Sequence, residues 1–249
     1  MRTKWIWLAI ATAAACGGAV MDQRQPVLVE LFTSEGCSSC PPADALLEKL
    51  DHDQPVPGAQ IIVLSEHVDY WNQLGWKDPY SSSAFSERQA NYARALHLQE
   101  VYTPQMVVDG TAECPGADAQ KAATAIRNAI AEPGIGVRWS GAGNGDALTL
   151  DVDPLPAGKI RKASVYLARA ADSGVSDVLR GENRGRKLHH VSVVSEIKEI
   201  GHVDRKSGFK TEIPIRNGGA PAGSKLVAFV QEPGQGRVLG AGVYMIPKP

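Results

Sequence analysis

Two cysteines separated by two serines, Cys37 and Cys40, constrain this chain more than any other feature of its sequence. They directly follow the apolar run 27–32, which is typical of a strand buried on both faces. They directly precede the segment 43–50, in which apolar residues recur at helical spacing. This strand–C-x-x-C–helix context is much more specific than the cysteine spacing alone, and it predicts dithiol chemistry at the start of a helix.

The start of a helix presents free N–H groups and a partial positive charge, which stabilise a thiolate. Pro41 and Pro42 fit the first helical turn, because no N–H donor is needed there. We therefore predict that Cys37 is the exposed nucleophile and that Cys40, on the helix, resolves a mixed disulfide. One alternative is an inert structural disulfide, although a cross-link that closes so short a loop stabilises the fold little. The other is half of a zinc site, although no second C-x-x-C or histidine pair supplies the remaining ligands.

Helix and strand patterns alternate between Pro26 and residue 133. After the first strand and helix, the patterns predict a strand at 61–64, a helix at 85–96, a hairpin at 105–114 and a helix at 119–130. Beyond residue 136, short segments alternate between apolar and polar residues, which is typical of an antiparallel β-sandwich. The prediction is thus an α/β chain with two domains, 26–133 and 136–249.

Residues 1–20 have the anatomy of an export signal, with a basic start, an apolar run of eleven residues and small residues after it. The run is too short to span a bilayer, which needs about 20 residues. Cleavage after Ala15 predicts a periplasmic or secreted protein, whereas lipidation of Cys16 would anchor it to a membrane. Both forms lie outside the cytoplasm, where disulfides persist. An uncleaved, membrane-associated helix is the third alternative.

The charge balance argues against a nucleic-acid partner. The chain has 26 Lys and Arg residues against 27 Asp and Glu residues, so its net charge is −1. Nucleic-acid binding requires a net basic surface or stripe. The expected partners are instead protein thiols or disulfides, or a redox partner protein, and no cofactor is predicted.

Several segments resemble a bacterial exported family that is catalogued as domain of unknown function 1223. They are Val29–Asp44, His67–Trp71, Gly75–Pro79, Tyr102–Gly110 and Arg180–Arg186. The resemblance covers most of the chain after the signal, and it implies a thioredoxin-like first domain with a dithiol site. It supplies no substrate, since the family is named for lacking an assigned function.

The resemblance also assigns Thr103 and Pro104 to the site, because in the thioredoxin fold a cis proline precedes the third strand and faces the dithiol. The alternative is a trans proline that starts a strand. The resulting functional prediction is thiol–disulfide exchange on protein substrates. A second hypothesis is periplasmic copper binding or delivery by Cys37, Cys40 and His67, because thiolates and imidazole suit copper(I). His67 could instead tune the thiolate, or be an ordinary hydrogen-bonded histidine at the end of a strand.

Three further features of the sequence each allow more than one interpretation. Cys114 is predicted to lie within about 10–15 Å of Cys37, as a third thiol or as a small buried hydrophobe. An aromatic group could line a peptide-binding groove or form the core of an insert; it comprises Tyr70, Trp71, Trp76 and Tyr80. The charged segment 180–190, which includes His189 and His190, could contact an anion or a metal, dock onto the first domain, or be a solvated loop.

Overall fold

The structure is a computed structural model that describes residues 24–141, 147–215 and 223–247. The predicted export signal, with Cys16, lies outside the described residues. Within the described residues, no helix combines the length and the apolar character that crossing a membrane requires.

The first half contains the predicted order of strand, helix, strand, helix, hairpin and helix. Its elements are β1 (Gln25–Thr33), α1 (Pro41–Asp53), β2 (Ala59–His67), a short 3-10 helix (Asn72–Leu74), α2 (Ser83–Ala95), β3 (Gln105–Val108), β4 (Ala112–Pro115) and α3 (Ala119–Ala129). Strand β1 is buried from Val27 to its end, as its unbroken apolar run predicts.

The second half consists of strands only, within the described residues. They are β5 (Val137–Gly141), β6 (Ala147–Val152), β7 (Lys162–Asp177), β8 (Lys187–Asp204), β9 (Phe209–Pro214), β10 (Ser224–Gln231) and β11 (Val238–Met245). The two longest, β7 and β8, pair in antiparallel fashion along almost their whole length.

One sheet of eight strands runs through both halves, in the order β11-β10-β7-β8-β2-β1-β3-β4. Strands β1 and β2 are parallel, and β3 is antiparallel to β1. The halves join where β2 and β8 pair at Ser65 and Val193. The mixed α/β class is therefore confirmed, but β7, β8, β10 and β11 continue the sheet of the first half.

A second, three-stranded sheet has the order β5-β6-β9. It packs against the β7–β10–β11 part of the large sheet, because one buried apolar cluster contains Leu150 of β6, Val165 of β7 and Ala228 of β10. This two-layer packing is the feature nearest to the predicted sandwich. A separate β-sandwich domain and a boundary near residue 133 stay predictions.

The helices lie on opposite faces of the sheet because successive side chains of β1 point to opposite sides. Val29 and Leu31 belong to the apolar cluster with α1 and α3. Leu28 belongs to the cluster that contains Phe85 of α2. Parallel β1 and β2 end at the same edge, so the residues that follow them meet there.

Candidate dithiol site

Cys37 and Cys40 form a disulfide at the junction of β1 and α1, where the sequence predicts them. The loop is folded by backbone hydrogen bonds. Cys37 N–H donates to Ser34 O at 3.2 Å, and Cys40 N–H donates to Cys37 O at 3.2 Å. Cys40 is the N-cap of α1, and its carbonyl accepts the N–H of Ala43 at 2.8 Å. The predicted position of the pair is therefore confirmed.

The prediction that Cys37 is exposed is wrong. Both cysteines have an exposed fraction of 0%, whereas Ser38 and Ser39 between them are exposed. The reason is a segment from the other half of the chain that lies against this loop.

That segment is the β7–β8 loop, residues 178–186. The side-chain N–H of Asn183 donates to the carbonyls of Glu35 and Cys37 at 2.8 and 2.9 Å. Asn183 is itself fully buried. Glu182 accepts the backbone N–H of Ser38 at 3.0 Å, and the side chain of Ser38, followed by this N–H, lowers the pKa of the carboxyl. Docking of this segment onto the first half, one of the predicted alternatives, is therefore observed.

Glycine permits the close approach of the β7–β8 loop to the first half. Gly181 has a φ of +73°, and a Cβ atom placed on it would lie 3.1 Å from the Cβ of Trp76. The loop is closed at its base, where Val178 N–H donates to Arg186 O at 2.9 Å. Its position is thus fixed by its own hydrogen bonds and by contact with the first half.

His190, near the start of β8, is buried between two carboxylates. Its Nε2 lies 3.4 Å from Oε1 of Glu35, and its Nδ1 lies 3.7 Å from Oδ1 of Asp44. These distances describe ion pairs. Burial alone would lower the pKa of His190, but Asp44 and Glu35 raise it to about 9. The ring therefore carries a positive charge at neutral pH.

His67, at the end of β2, lies beside His190, with the two ring centroids 4.6 Å apart. Its Nδ1 is 2.7 Å from Oδ2 of Asp78. The same Asp78 oxygen accepts the N–H of Glu35 at 2.8 Å, and the other accepts the N–H of Tyr80 at 2.9 Å. Burial would raise the pKa of Asp78, but His67 and these N–H donors lower it. This is the hydrogen-bonded histidine that the sequence leaves as one alternative.

The aromatic residues of the insert between β2 and α2 form walls of this site. Trp76 donates its indole N–H to Glu35 Oε2 at 2.7 Å. Trp71 donates to Thr103 Oγ1 at 2.8 Å, and the ring of Tyr80 packs against the ring of His67. The aromatic group thus packs inward on polar partners, as the core of the insert would.

Thr103 and Pro104 are joined by a cis peptide bond, as the family resemblance implies. Gly116 marks how tightly this region packs on α1. A Cβ atom on Gly116 would lie 2.9 Å from Pro104 Cβ and 3.0 Å from Ala43 Cβ. Pro104 is therefore near the first turn of α1, while a catalytic role for Thr103 and Pro104 stays a prediction.

Cys114 is a free cysteine in β4 and is buried. It belongs to the apolar cluster with Leu31, Ala43 and Met106. Burial, together with the charge of Glu113, raises the pKa of this thiol to about 11. These surroundings favour a small buried hydrophobe over a third reactive thiol.

The copper hypothesis gains no support from the geometry. The sulfurs of Cys37 and Cys40 are joined to each other, and Nδ1 of His67 faces Asp78. Within the described ranges, no group of three or more His, Cys, Asp or Glu residues is arranged to hold a metal ion. Copper binding therefore stays a prediction.

Sequence reasoning missed Glu35, Asp44, Asp78 and Asn183 as residues of this site. Two of them had a signal, since Glu35 precedes Cys37 by two residues and Asp44 follows Cys40 by one helical turn. A charged residue this close to a buried motif needs a partner, because an unpaired buried charge is costly. Asn183 had no such signal, because only long-range strand pairing brings it to the disulfide.

The comparisons with known proteins cover most of the chain. A family model described as "Protein of unknown function (DUF1223)" matches residues 28–231. The crystal structure of a protein from Agrobacterium tumefaciens, a structural genomics target, is similar with a TM-score of 0.73 and 28% sequence identity. That match covers 91% of this chain and 96% of the other. No curated protein matches.

Proposed function

The chain belongs to the DUF1223 family of proteins of unknown function, and we propose that it carries out thiol–disulfide exchange at Cys37 and Cys40. The substrates would be protein thiols or disulfides, or a redox partner protein, outside the cytoplasm. The observation that carries the proposal is the disulfide at a helix start beside buried ionisable groups. A cross-link that closes so short a loop stabilises the fold little, and burying ionisable groups costs free energy. A purely structural role therefore explains neither the disulfide nor the buried ionisable groups beside it.

The topology of the first half supports a thioredoxin-like assignment. The sheet order β2-β1-β3-β4 has β1 and β2 parallel and β3 antiparallel to β1. Helices α1 and α3 pack on one face, and α2 packs on the other. This arrangement places a C-x-x-C motif at the carboxyl end of a central strand, where the positive end of a helix favours a thiolate.

The proposed reaction transfers two electrons from the dithiol of a partner to the Cys37–Cys40 disulfide. A partner thiolate attacks Cys37 Sγ, and the electron pair of the Cys37–Cys40 bond leaves on Cys40 Sγ. The partner's second thiol then loses its proton and attacks the mixed disulfide, which releases Cys37 as a thiolate. The thiolates of Cys37 and Cys40 each take up a proton. The partner ends as a disulfide and this protein as a dithiol. The reverse reaction oxidises Cys37 and Cys40, and the relative potentials set the direction.

Exchange requires movement of the β7–β8 loop, because both sulfurs are buried in the docked state. Three hydrogen bonds hold the loop to the motif, two from Asn183 and one to Glu182. The two bonds from Asn183 contribute about 0.5–1.5 kcal/mol net each. Local opening therefore costs only a few kcal/mol, which is in the range of loop motions that gate enzyme sites.

A second candidate is an interaction protein whose disulfide is only structural, and the complete burial of both cysteines favours it. Insulin reduction separates the two. We expect the wild-type protein and Cys114→Ser to catalyse it and Cys37→Ser to be inactive. Cys114 is the matched control because it is the free buried cysteine of the described chain. If all three proteins fail to reduce insulin, the disulfide has only a structural role and the second candidate is favoured.

Export is part of the same proposal, because a disulfide of this kind persists in the periplasm or outside the cell. Fractionation of cells and the mass of the mature N-terminus test it. Cleavage in the region of Ala15, or lipidation of Cys16, supports export. Recovery of the full-length chain from the cytoplasm contradicts it.

A further inference from the structure

The neighbourhood of the disulfide contains an unusual concentration of buried polar atoms that have no hydrogen-bond partner among the described residues. Buried polar side-chain atoms are ordinarily paired, so a local concentration of exceptions calls for a function. The atoms are Oε1 of Glu35, Oδ1 of Asp44, Nε2 of His67, Oδ1 of Asn183 and both ring nitrogens of His190.

Two of these groups bracket the disulfide. Glu35 precedes Cys37 by two residues, and its carbonyl shares the Asn183 donor with the carbonyl of Cys37. Asp44 lies in the first turn of α1, and its N–H donates to Cys40 O at 3.1 Å. Both carboxylates are buried, so water does little to screen their charges.

His190 bridges these two carboxylates from the opposite half of the chain. The other groups that face its ring are His67 of β2, whose own partner is Asp78, and the ring of Tyr80, at a centroid distance of 5.9 Å. Asn183 of the β7–β8 loop is neutral. The imidazolium of His190 is therefore the counter-ion of Glu35 and Asp44.

We propose that His190 is the positioning residue of the dithiol, which acts through Glu35 and Asp44 to keep the reduced cysteines ionisable. The inference rests on the proposed exchange function, since ionisation matters only for a reactive pair. Without the imidazolium, two uncompensated carboxylates so near the motif in the chain would disfavour a thiolate there. The imidazolium of His190 offsets the charges of Glu35 and Asp44, so that the start of α1 can favour the thiolate.

The test is the pH dependence of alkylation of the reduced protein by iodoacetamide, followed by mass spectrometry in a Cys114→Ser background. The readout is the pH midpoint, because opening of the β7–β8 loop scales the rates but leaves the midpoint in place. We expect the midpoint below the ordinary thiol value of about 8.5. His190→Gln should raise it by at least about one pH unit, which is a tenfold lower thiolate fraction near neutral pH.

His189→Gln is the matched control, because His189 is the adjacent residue on β8 and is exposed. It should leave the midpoint unchanged. The double variant His190→Gln with Asp44→Asn should move the midpoint back toward the wild-type value. If His190 acted only by packing, the added Asp44→Asn substitution would not restore the midpoint of the His190→Gln variant.

Equal midpoints in the wild type, His190→Gln and His189→Gln would overturn the proposal. Should His190→Gln not fold, Asp44→Asn alone decides, since it should lower the midpoint, and an unchanged midpoint contradicts the proposal. The measurement uses no partner protein. A midpoint that depends on His190 in a protein without insulin-reducing activity would therefore contradict the proposed function, while still showing that His190 sets the ionisation of the reduced cysteines.

Discussion

The side-chain N–H of Asn183 donates a hydrogen bond of 2.9 Å to the backbone carbonyl of Cys37, although 146 residues separate the two in the chain. The second half of the chain thus holds the disulfide loop in place. Asn183 and both cysteines are fully buried, so the docked β7–β8 loop covers the disulfide.

Asn183→Ala should speed the reduction of the Cys37–Cys40 disulfide in the folded protein. The variant removes two hydrogen bonds of about 0.5–1.5 kcal/mol each, which corresponds to a gain of roughly five- to 150-fold in the open population. The measurement is the rate of reduction by dithiothreitol under native conditions. Arg184→Ala is the control, because Arg184 is exposed in the same loop. The same rate in both variants and the wild type would rule out gating by Asn183.

Stability should fall as the pH rises from about 6.5 to about 9. The pKa of His190 is raised in the folded state from an ordinary value of 6.5 to about 9, so folding favours the protonated ring. The contribution of His190 to the free energy of unfolding is at most about 3 kcal/mol. It is fully present below pH 6.5 and is lost as the pH rises through 9. Urea denaturation at pH 6 and pH 9.5 measures the loss. His190→Gln should show a clearly smaller loss than His189→Gln, and an equal loss would contradict the assignment.

Glu66→Gln should stabilise the protein at pH 8. Glu66 is fully buried, and neither of its carboxyl oxygens has a hydrogen-bond partner among the described residues. Burial, and then the negative charge of Glu30, raise the pKa of Glu66 well above its ordinary value of 4.5, although Arg88 opposes this. Folding therefore favours the protonated acid, and the stability that this contributes is lost as the pH rises above 4.5. A neutral amide removes that loss, so the free energy of unfolding at pH 8 should rise, even though the contact of Glu66 Oε2 with Arg88 Nε at 3.7 Å becomes uncharged on one side.

Glu30→Gln provides the contrast on the same face of the sheet. Glu30 is paired with Arg88 at 2.6 Å and accepts a hydrogen bond from Tyr92. Breaking this buried pair leaves Arg88 under-compensated and should destabilise the protein by about 3–5 kcal/mol. The measurement is the melting temperature of both variants and of the wild type at pH 5 and pH 8. A Glu66→Gln protein that melts below the wild type at pH 8 is the outcome that this account does not allow.

Local patterns predicted the position of the disulfide, because the strand before Cys37 and the helix after Cys40 are determined by nearby residues. They did not predict its burial, which depends on where β8 docks. Strand β8 pairs with β2 at Ser65 and Val193, a contact between residues far apart in the chain. A pattern of alternating residues shows that a strand exists and does not show which strand lies beside it.

The adjacent histidines show the same limit. The sequence marks His189 and His190 equally, yet one is exposed and the other is buried against Glu35 and Asp44. Neighbouring side chains of a strand point to opposite faces, so one of the two had to face inward. Which one does so follows from the register of β8, and that register is a property of the whole sheet.

The reduction potential of Cys37–Cys40, measured in glutathione buffers on the folded protein, tests the central claim most directly. Structural disulfides of secreted proteins typically have potentials below about −300 mV. A pair that takes part in exchange should equilibrate with the buffers without unfolding of the protein, and we expect a potential above that value. A potential below it, together with reduction only after denaturation, would contradict thiol–disulfide exchange at this site.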